Sequence, residues 1–313
     1  MVYQAAPFHA DIANGPDGGA AYWVKADDGV RARVGLWPKR DATGTVILLP
    51  GRTEYIEKYG LFAAGMAERG FATLAIDWRG QGLADRMLSD ARVGHVNAFP
   101  DFQRDLRAAL DLATEQDLPR PWHLLGHSMG GAIGLRAVMD GVPVASCAFS
   151  GPMWDILMAA PMRPFAHVLT SLARVIGRDN GLAPTTEATP YVVSAEFTDN
   201  QLTNDAEMYQ MMRDQLAAYP DLCLGGPSLR WLGEALRECK ALAARPSPDM
   251  RCLTFLGTDE SIVDPRAIHD RMARWPRGRL ELVEGGRHEV LMDAPAMRNA
   301  VMDQIAAHFR DAT

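Results

Sequence analysis

The segment Gly126-His127-Ser128-Met129-Gly130 carries the residues best suited to covalent chemistry. An apolar run from Trp122 to Leu125 precedes it and a helical pattern follows it, so we expect Ser128 at a sharp turn from a strand into a helix. The glycines leave room for this turn, which would hold the serine in strained geometry with its Oγ exposed. The amide of Met129, at the start of the helix, would face a developing oxyanion. Ser128 is therefore the predicted nucleophile, and a tight turn with a capping serine is the structural alternative.

A serine near neutral pH needs a histidine base and a carboxylate that orients the histidine. His288 lies in the segment 284–290, which follows the last apolar run and would bring the imidazole to the same edge of the sheet as Ser128. The acid is expected between them in the chain, where Asp259, Glu260 and Asp264 compete. Asp264 precedes a proline and is expected to cap a helix, so the residues alone leave Asp259 and Glu260 open.

Apolar runs of strand length alternate with helical patterns through the first 150 residues and again after residue 248. Such alternation predicts the α/β class, with a mostly parallel central sheet and helices on both faces. An Asp28-Gly29 pair between two further runs predicts a hairpin near the start. The strand-like runs are Thr45 to Leu49, Phe71 to Ile76, Trp122 to Leu125, Ala145 to Phe149, Cys252 to Leu256 and Leu280 to Val283, and the helical patterns include 55–69, 97–116 and 129–139.

The strand pattern stops between residues 151 and 248, where we expect an inserted helical cap on a core formed by 1–150 and 249–313. A stripe at three- and four-residue spacing is typical of packing in a core; it comprises Met158, Met162, Phe165, Leu169, Leu172 and Ile176. Six of the sixteen methionines fall in this segment, and flexible thioethers suit a surface that accepts apolar ligands. We therefore predict an apolar acyl tunnel, with Met153, Met158, Met208 and Met212 as substrate-binding residues.

Composition and charge exclude several classes of function. The 313 residues are 48% hydrophobic and 23% charged, as in soluble globular proteins. The balance of 39 acidic against 32 basic residues disfavours long-range attraction to nucleic acid or to an anionic membrane. The longest stretch without a charged residue has fifteen residues, too few to span a bilayer. Because no signal-peptide pattern is present, a cytoplasmic location is expected, with peripheral contact of the cap at the inner membrane face left open.

The sequence predicts neither a metal nor a cofactor. The four cysteines lack the spacing of metal or disulfide frameworks, and no glycine loop has phosphate-binding spacing. The oligomeric state is left open.

Five segments, in order along the chain, resemble the α/β-hydrolase superfamily in its serine aminopeptidase S33 branch, which includes lysophospholipases and monoacylglycerol lipases. They are the loop from Leu49 to Tyr59, Asp77 to Gly82, Gly126 to Gly131, Gly257 to Asp264, and Gly285 to His288. The first is similar to the HGxGEHxxRY pattern, with Pro50 and Thr53 in place of the usual histidine and second glycine. The resemblance implies the amide of Arg52 as the second oxyanion donor and selects Glu260 over Asp259 as the acid.

Two arginines in these segments have alternative interpretations. The side chain of Arg52 would either contact a phosphate or carboxylate of the substrate or pair with Glu54 or Glu57. Arg79 and Asp77 belong to a segment that resembles the D-x-R-G-x-G turn, which we interpret as structural, bracing the nucleophile loop.

Members of this branch hydrolyse esters of single-chain lipids, such as lysophospholipids and monoacylglycerols. The resemblance thus implies a serine ester hydrolase that acts through an acyl-enzyme on Ser128, with His288 as base. A general carboxylesterase, thioesterase, acyltransferase or proline iminopeptidase would use the same triad and stays open, and a non-catalytic ligand-binding homologue is the remote alternative. A dehalogenase or epoxide hydrolase is excluded, because either would need a carboxylate in place of Ser128.

Overall fold

A nine-stranded sheet forms the centre of the computed structural model, which describes residues 3–159 and 161–312. The strands are β1 (Ala5–Ala6), β2 (Ala20–Lys25), β3 (Arg31–Trp37), β4 (Gly44–Leu49), β5 (Phe71–Asp77), β6 (Trp122–His127), β7 (Ser146–Ser150), β8 (Cys252–Gly257) and β9 (Gly278–Val283). Their order is β1-β2-β3-β5-β4-β6-β7-β8-β9. The first three strands are antiparallel to their neighbours and β4 to β9 are parallel. The predicted hairpin and the mostly parallel sheet are confirmed.

Ten α-helices accompany the sheet among the described residues. They are α1 (Ala10–Ala13), α2 (Gly60–Glu68), α3 (Phe102–Glu115), α4 (Met129–Met139), α5 (Met162–Val175), α6 (Tyr191–Ser194), α7 (Ala206–Ala218), α8 (Leu229–Ala243), α9 (Pro265–Met272) and α10 (Pro295–Arg310). Tight 3₁₀ turns precede α2 and α3, at Ile56–Tyr59 and Phe99–Asp101. The predicted helix start at Asp264 is confirmed, since its side chain accepts hydrogen bonds from the amide of Arg266 and Pro265 takes the first helical position.

Helices cover both faces of the sheet because the side chains of each strand alternate between two apolar cores. On β4, Val46 and Leu48 belong to the core that includes α2 and α10, whereas Ile47 and Leu49 belong to the core that includes α3, α4 and α9. All six residues of β4 are buried. Strands this apolar cannot lie at a surface, so β4 and its parallel neighbours form the rigid base of the molecule.

The segment between β7 and β8 contains α5 to α8 and, among the residues the structure describes, no strand. Helix α5 packs on α8 through the buried small residues Ala166, Thr170 and Ala173, and Gly233 of α8 permits the close approach. The prediction that the bulky stripe of this segment packs in a core is wrong for its α5 part. Phe165 and Leu172 are 55% and 56% exposed, and Met162 and Ile176 are also exposed. The division of the chain into a core and a cap stays a prediction. None of the described helices is long and apolar enough to cross a membrane.

The turn after β5 is structural, as predicted, but its partners differ from the predicted ones. Asp77 accepts hydrogen bonds from Arg33 Nε at 2.7 Å and from the amide of Ile56 at 2.8 Å. Arg79 binds Asp105 and Asp28. The turn therefore fixes β3, α3 and the loop after β4. Among the described residues, neither of these two side chains forms a hydrogen bond or an ion pair with the nucleophile loop. It sets the position of one of the loops that meet at the carboxyl edge of the parallel strands.

Candidate active site

Ser128 lies at the turn between β6 and α4 with φ 50° and ψ −118°. A positive φ is rare for a residue with a side chain and persists only where the surroundings impose it. A Cβ on Gly130 would lie 1.9 Å from the carbonyl oxygen of Leu49, and one on Gly126 would lie 2.7 Å from the carbonyl oxygen of Gly130. Both glycines are thus required by close backbone approach, as the sequence predicts, and the turn has the geometry of a nucleophile elbow.

His288 and Glu260 form a hydrogen-bonded pair beside this turn. The distance from His288 Nδ1 to Glu260 Oε2 is 2.7 Å, and the other carboxylate oxygen accepts from the amides of Ile262 and Val263. Burial raises the pKa of Glu260, but the attraction of His288 and these hydrogen bonds outweigh it, so the pKa lies below its ordinary value. Glu260 is therefore ionised near neutral pH and holds Nδ1 as the donor, which leaves Nε2 free to act as a base.

The structure brings Glu260, and not Asp259, to the histidine. The side chain of Asp259 is exposed. Gly151, which follows β7, is a residue that sequence reasoning missed: a Cβ there would lie 3.1 Å from His288 Nδ1 and 3.2 Å from Glu260 Oε2, and its φ is 47°. Its signal in the sequence is only a glycine directly after a strand, which many ordinary turns share.

The loop after β4 runs directly past the serine. A Cβ on Gly51 would lie 3.1 Å from Ser128 Cβ. Within the described residues, no group accepts a hydrogen bond from the amide of Arg52, and the amide of Met129, at the first position of α4, has no intrahelical acceptor. Both amides are thus available to an oxyanion. Thr53, which replaces the second glycine of the family pattern, keeps a glycine-like φ of 67°.

A buried network of charges connects the loop after β4 to the loop that carries His288. Lys58 Nζ lies 2.5 Å from Glu54 Oε1 and 2.6 Å from Glu289 Oε1. Glu54 also accepts from the hydroxyl of Tyr59 at 2.6 Å and from the amide of Gly51. His127 Nε2 lies 3.4 Å from Glu289 Oε2. The network therefore ties Gly51, on one side of the serine, to the residue next to His288 on the other.

The pKa values of this network are set by competition between burial and mutual attraction. Burial lowers the pKa of Lys58 and of His127, but the two glutamates outweigh it and raise both. Burial likewise raises the pKa of Glu289, but Lys58 and His127 bring it well below its ordinary value. The potential ligand atoms of Glu54, His127 and Glu289 lie within 4.8 Å of one another, a spacing that suits a metal ion. The ammonium of Lys58 already lies between the carboxylates, so the network carries its own cation.

A cavity of about 280 Å³ contains Ser128 and His288. Its core side is polar, with Arg52, Glu54, Lys58 and Glu289. Its opposite wall comes from the segment between β7 and β8 and is mainly apolar; the residues there are Pro190, Tyr191, Val192, Gln201, Leu202, Met212 and Leu216. The arrangement can therefore hold an apolar group against a serine, a histidine and a charged floor.

Of the four methionines predicted to bind substrate, Met212 lines this cavity. Met153 lies in the core on the α3, α4 and α9 side of the sheet. Met208 is buried and Met158 is half-buried, and neither is part of the cavity wall. Valine and leucine make up more of the wall than methionine does. The sequence could not predict this, because helical spacing identifies an apolar face but not what that face covers.

Comparisons with known proteins place this geometry in a family. The family model of the serine aminopeptidase S33 group matches residues 40–295. The chain belongs to this family. Lysophospholipase L2 of Escherichia coli K12 is 30% identical over 279 residues, which cover 84% of this chain and 79% of that protein. A monoacylglycerol lipase of Mycolicibacterium smegmatis is 29% identical over 162 residues, which cover 50% of this chain and 52% of that protein.

Solved structures of other hydrolases share the fold. A soluble variant of the monoglyceride lipase of Saccharomyces cerevisiae superimposes with a TM-score of 0.70 at 19% identity, over 100% of this chain and 97% of that one. A carboxyl esterase of Bacillus coagulans does so with a TM-score of 0.74 at 14% identity, over 95% and 99%. The fold predicted from the sequence is thereby confirmed as that of an α/β-hydrolase. The family model and the lysophospholipase relative confirm the resemblance to the lysophospholipase and monoacylglycerol lipase branch.

Replacement of Lys58 by methionine should lower the free energy of unfolding at pH 7 by about 3 kcal/mol, because it leaves two buried carboxylates without their cation. The loss should shrink as the pH falls from 7 to 5. In the wild type the lowered pKa of Glu289 keeps its stabilising charge throughout this range. In the variant, Lys58 no longer opposes the effect of burial, so the pKa of Glu289 should rise and the folded protein should regain stability by binding a proton. Urea unfolding at several pH values measures both.

The matched control is Arg92→Met, which breaks an exposed ion pair with Asp90. Its effect should be much smaller and independent of pH in this range, since water screens the pair. Equal losses in the two variants, or a Lys58→Met loss that does not change with pH, would show that the network contributes little.

Proposed function

We propose that this protein is a serine hydrolase that cleaves carboxylic esters of single-chain lipids, lysophospholipids or monoacylglycerols, through an acyl-enzyme on Ser128. One observation carries the proposal: a serine on a strained elbow opens into the same cavity as a histidine whose Nδ1 is held by a buried glutamate. Family membership and relatives named lysophospholipase and monoacylglycerol lipase support the lipid ester as substrate.

The proposed reaction follows from the available atoms. Ser128 Oγ attacks the ester carbonyl while His288 Nε2 takes its proton, and the negatively charged oxygen is stabilised by the amides of Met129 and Arg52, at about 3 kcal/mol per donor. Glu260 stabilises the imidazolium. His288 then protonates the departing alcohol oxygen, and the acyl group stays on Ser128. A water molecule that gives its proton to His288 then attacks the acyl-enzyme. The bond between the acyl carbon and Ser128 Oγ breaks, His288 returns the proton to Oγ, and the fatty acid leaves.

The apolar wall opposite the serine gives the lipid preference its structural basis. Val192, Leu202, Met212 and Leu216 face the cavity from the segment between β7 and β8, and we assign the acyl chain to them. This segment, the predicted cap at 151–248, would therefore select the substrate, while the core supplies the chemistry. Met153, Met158 and Met208 lie outside the cavity wall in this conformation, so contact with substrate is assigned to Met212.

The test is hydrolysis of matched monoacylglycerols, lysophospholipids, short p-nitrophenyl esters, thioesters and proline amides. We expect the wild type to prefer the long single-chain lipids, and turnover in Ser128→Ala to fall to background. In Glu260→Gln, kcat should fall on the order of 10³-fold or more, because the histidine loses its charged partner. Asp259→Asn is the matched control, and its turnover should stay near that of the wild type.

Each contrary result removes a separate part of the proposal. Preference for short esters, thioesters or amides would keep the serine chemistry and overturn the lipid substrate. Full lipid hydrolysis by Ser128→Ala would overturn the nucleophile. A greater loss in Asp259→Asn than in Glu260→Gln would reassign the acid.

The exposed face of α5 supports a second part of the proposal, that the enzyme works at a lipid surface. Met162, Phe165, Val168, Leu172, Val175 and Ile176 are all more than half exposed, and Val175 reaches 83%. Apart from Met162, which lies beside Ala166, they occupy a different side of the helix from Ala166, Thr170 and Ala173, which pack on α8. A continuous apolar face of this kind is typical of helices that lie in a membrane interface. We propose that α5 contacts the bilayer that supplies the substrate, the peripheral contact that the sequence leaves open.

The double substitution Val168→Glu and Leu172→Glu should lower binding to phosphatidylcholine and phosphatidylglycerol vesicles about tenfold or more, since it places charge on the apolar face. Cosedimentation with the vesicles measures this. Hydrolysis of a short, monomeric p-nitrophenyl ester should not change. Ala296→Glu with Ala300→Glu is the matched control, because it puts the same charges four residues apart at exposed positions of α10. Equal vesicle binding by the two double variants would refute the contact.

A further inference from the structure

Arg52 forms no ion pair among the residues that the structure describes, whereas the other charged side chains of the cavity wall pair with one another. Lys58 is bound by Glu54 and Glu289. The alternative that Arg52 pairs with Glu54 or Glu57 is not observed, because Glu54 binds Lys58 and Glu57 binds Arg33 at 2.7 Å. Arg52, a residue of the wall of the cavity that contains Ser128, therefore has no counter-ion among these residues.

The guanidinium of Arg52 is nevertheless held in place. Its Nη1 donates to the carbonyl oxygen of Gly225 at 2.8 Å, and its Cζ lies 5.6 Å from the centre of the Trp231 ring. Gly225 is itself fixed, because its amide donates to the carbonyl oxygen of Arg92 at 2.8 Å. A cation with one anchor of this kind loses little further conformational freedom when it binds a ligand.

Most of the hydrogen-bonding capacity of Arg52 is unused. A guanidinium has five N–H donors, and across residues 3–159 and 161–312 only the bond to Gly225 engages one of them. Burial lowers the pKa of Arg52 to about 10, so the group is still charged at neutral pH. Arg52 is half-buried. A half-buried cation without a counter-ion is unfavourable, and an anion that enters the cavity would compensate its charge.

We propose that the guanidinium of Arg52 binds the phosphate group of a lysophospholipid substrate, an inference that rests on the proposed function. Arginine presents paired donors that match two phosphate oxygens. A Cβ on Gly51 would lie 3.1 Å from Ser128 Cβ, so the backbone of Arg52, the next residue, passes close to the reacting serine. In a lysophospholipid the three carbons of glycerol separate the ester from the phosphate, which suits a cation one long side chain from the nucleophile. A monoacylglycerol has no such anion and gains nothing from Arg52.

The test compares two substrates with the same acyl chain, monododecanoylglycerol and its 3-phosphate, as a ratio of kcat/KM values. Because the Arg52 amide is a proposed oxyanion donor, any shift of its loop should affect both substrates, and the ratio isolates the side chain. Arg52→Gln should lower the ratio of phosphate to neutral substrate about 10- to 100-fold, the loss expected for a hydrogen bond to a charged group. Arg52→Lys should keep part of the preference, since it retains charge without paired donors.

The matched control is Arg86→Gln. Arg86 also binds backbone carbonyls, those of Gly80 and Gly82 at 3.0 and 2.8 Å, and it is not part of the cavity wall. Its substitution should leave the substrate ratio unchanged. A fall in the ratio as large as that in Arg52→Gln would overturn the assignment to Arg52.

A binding measurement separates failure of this inference from failure of the proposed function. Hexyl phosphate should bind Ser128→Ala protein in isothermal titration calorimetry, and Arg52→Gln added to that variant should weaken its affinity about tenfold or more. Binding that depends on Arg52, without hydrolysis of any lipid, would uphold the anion site and overturn the lipid function. Lipid hydrolysis with an unchanged substrate ratio, or hexyl phosphate binding that is absent or independent of Arg52, would overturn the anion site and leave the hydrolase standing.

Discussion

The first turn of α4 lies so close to the end of β4 that no side chain fits between them. A Cβ on Gly130 would lie 1.9 Å from the carbonyl oxygen of Leu49, so the helix can follow β6 only through an abrupt turn, and Ser128 takes the positive φ that this turn requires. The same approach brings the loop after β4 against the serine, where Gly51 nearly touches it. The strained nucleophile and the backbone amides around it are thus consequences of one packing constraint between a strand and a helix.

Buried ion pairs hold the loops after β4 and β9 in position beside this turn. Lys58 binds Glu54 from the loop after β4 and Glu289 from the loop after β9, although 231 residues separate the second pair. An ion pair that has lost its water is stable only when its geometry is good, so the network restricts how far either loop can move. Asp77 acts in the same way from β5, holding both Arg33 and the amide of Ile56. The loops that carry Arg52 and His288 are thus connected through side chains and not only through the sheet.

Local features of this protein could be predicted from its sequence because their causes are local. The glycines around Ser128, the Asp28-Gly29 hairpin and the cap at Asp264 each reflect a backbone conformation that a few neighbouring residues decide. The alternation of strand-like and helical patterns along the chain is sufficient to predict the class of fold. The choice of Glu260 over Asp259 came from family resemblance, and the structure brings Glu260 to His288.

Features that depend on distant partners could not be predicted in this way. Helical spacing identified the apolar stripe of α5 but not the direction it faces, because small residues on the other side pack against α8. The same limit applies to Met153, which lies in the core. Neither the proximity of Gly151 to His288 nor the missing partner of Arg52 follows from neighbours in the chain. Each is a product of tertiary packing.

The most direct test of the central claim is the reaction of the intact protein with a fluorophosphonate, a reagent that phosphonylates activated serines, followed by mass spectrometry and peptide mapping. We expect one adduct, on Ser128, formed rapidly in the wild type and slowly or not at all in His288→Ala, because the hydroxyl is a weak nucleophile without its base. An adduct on another serine, or a rate that does not depend on His288, would contradict the assignment of the elbow as the catalytic centre.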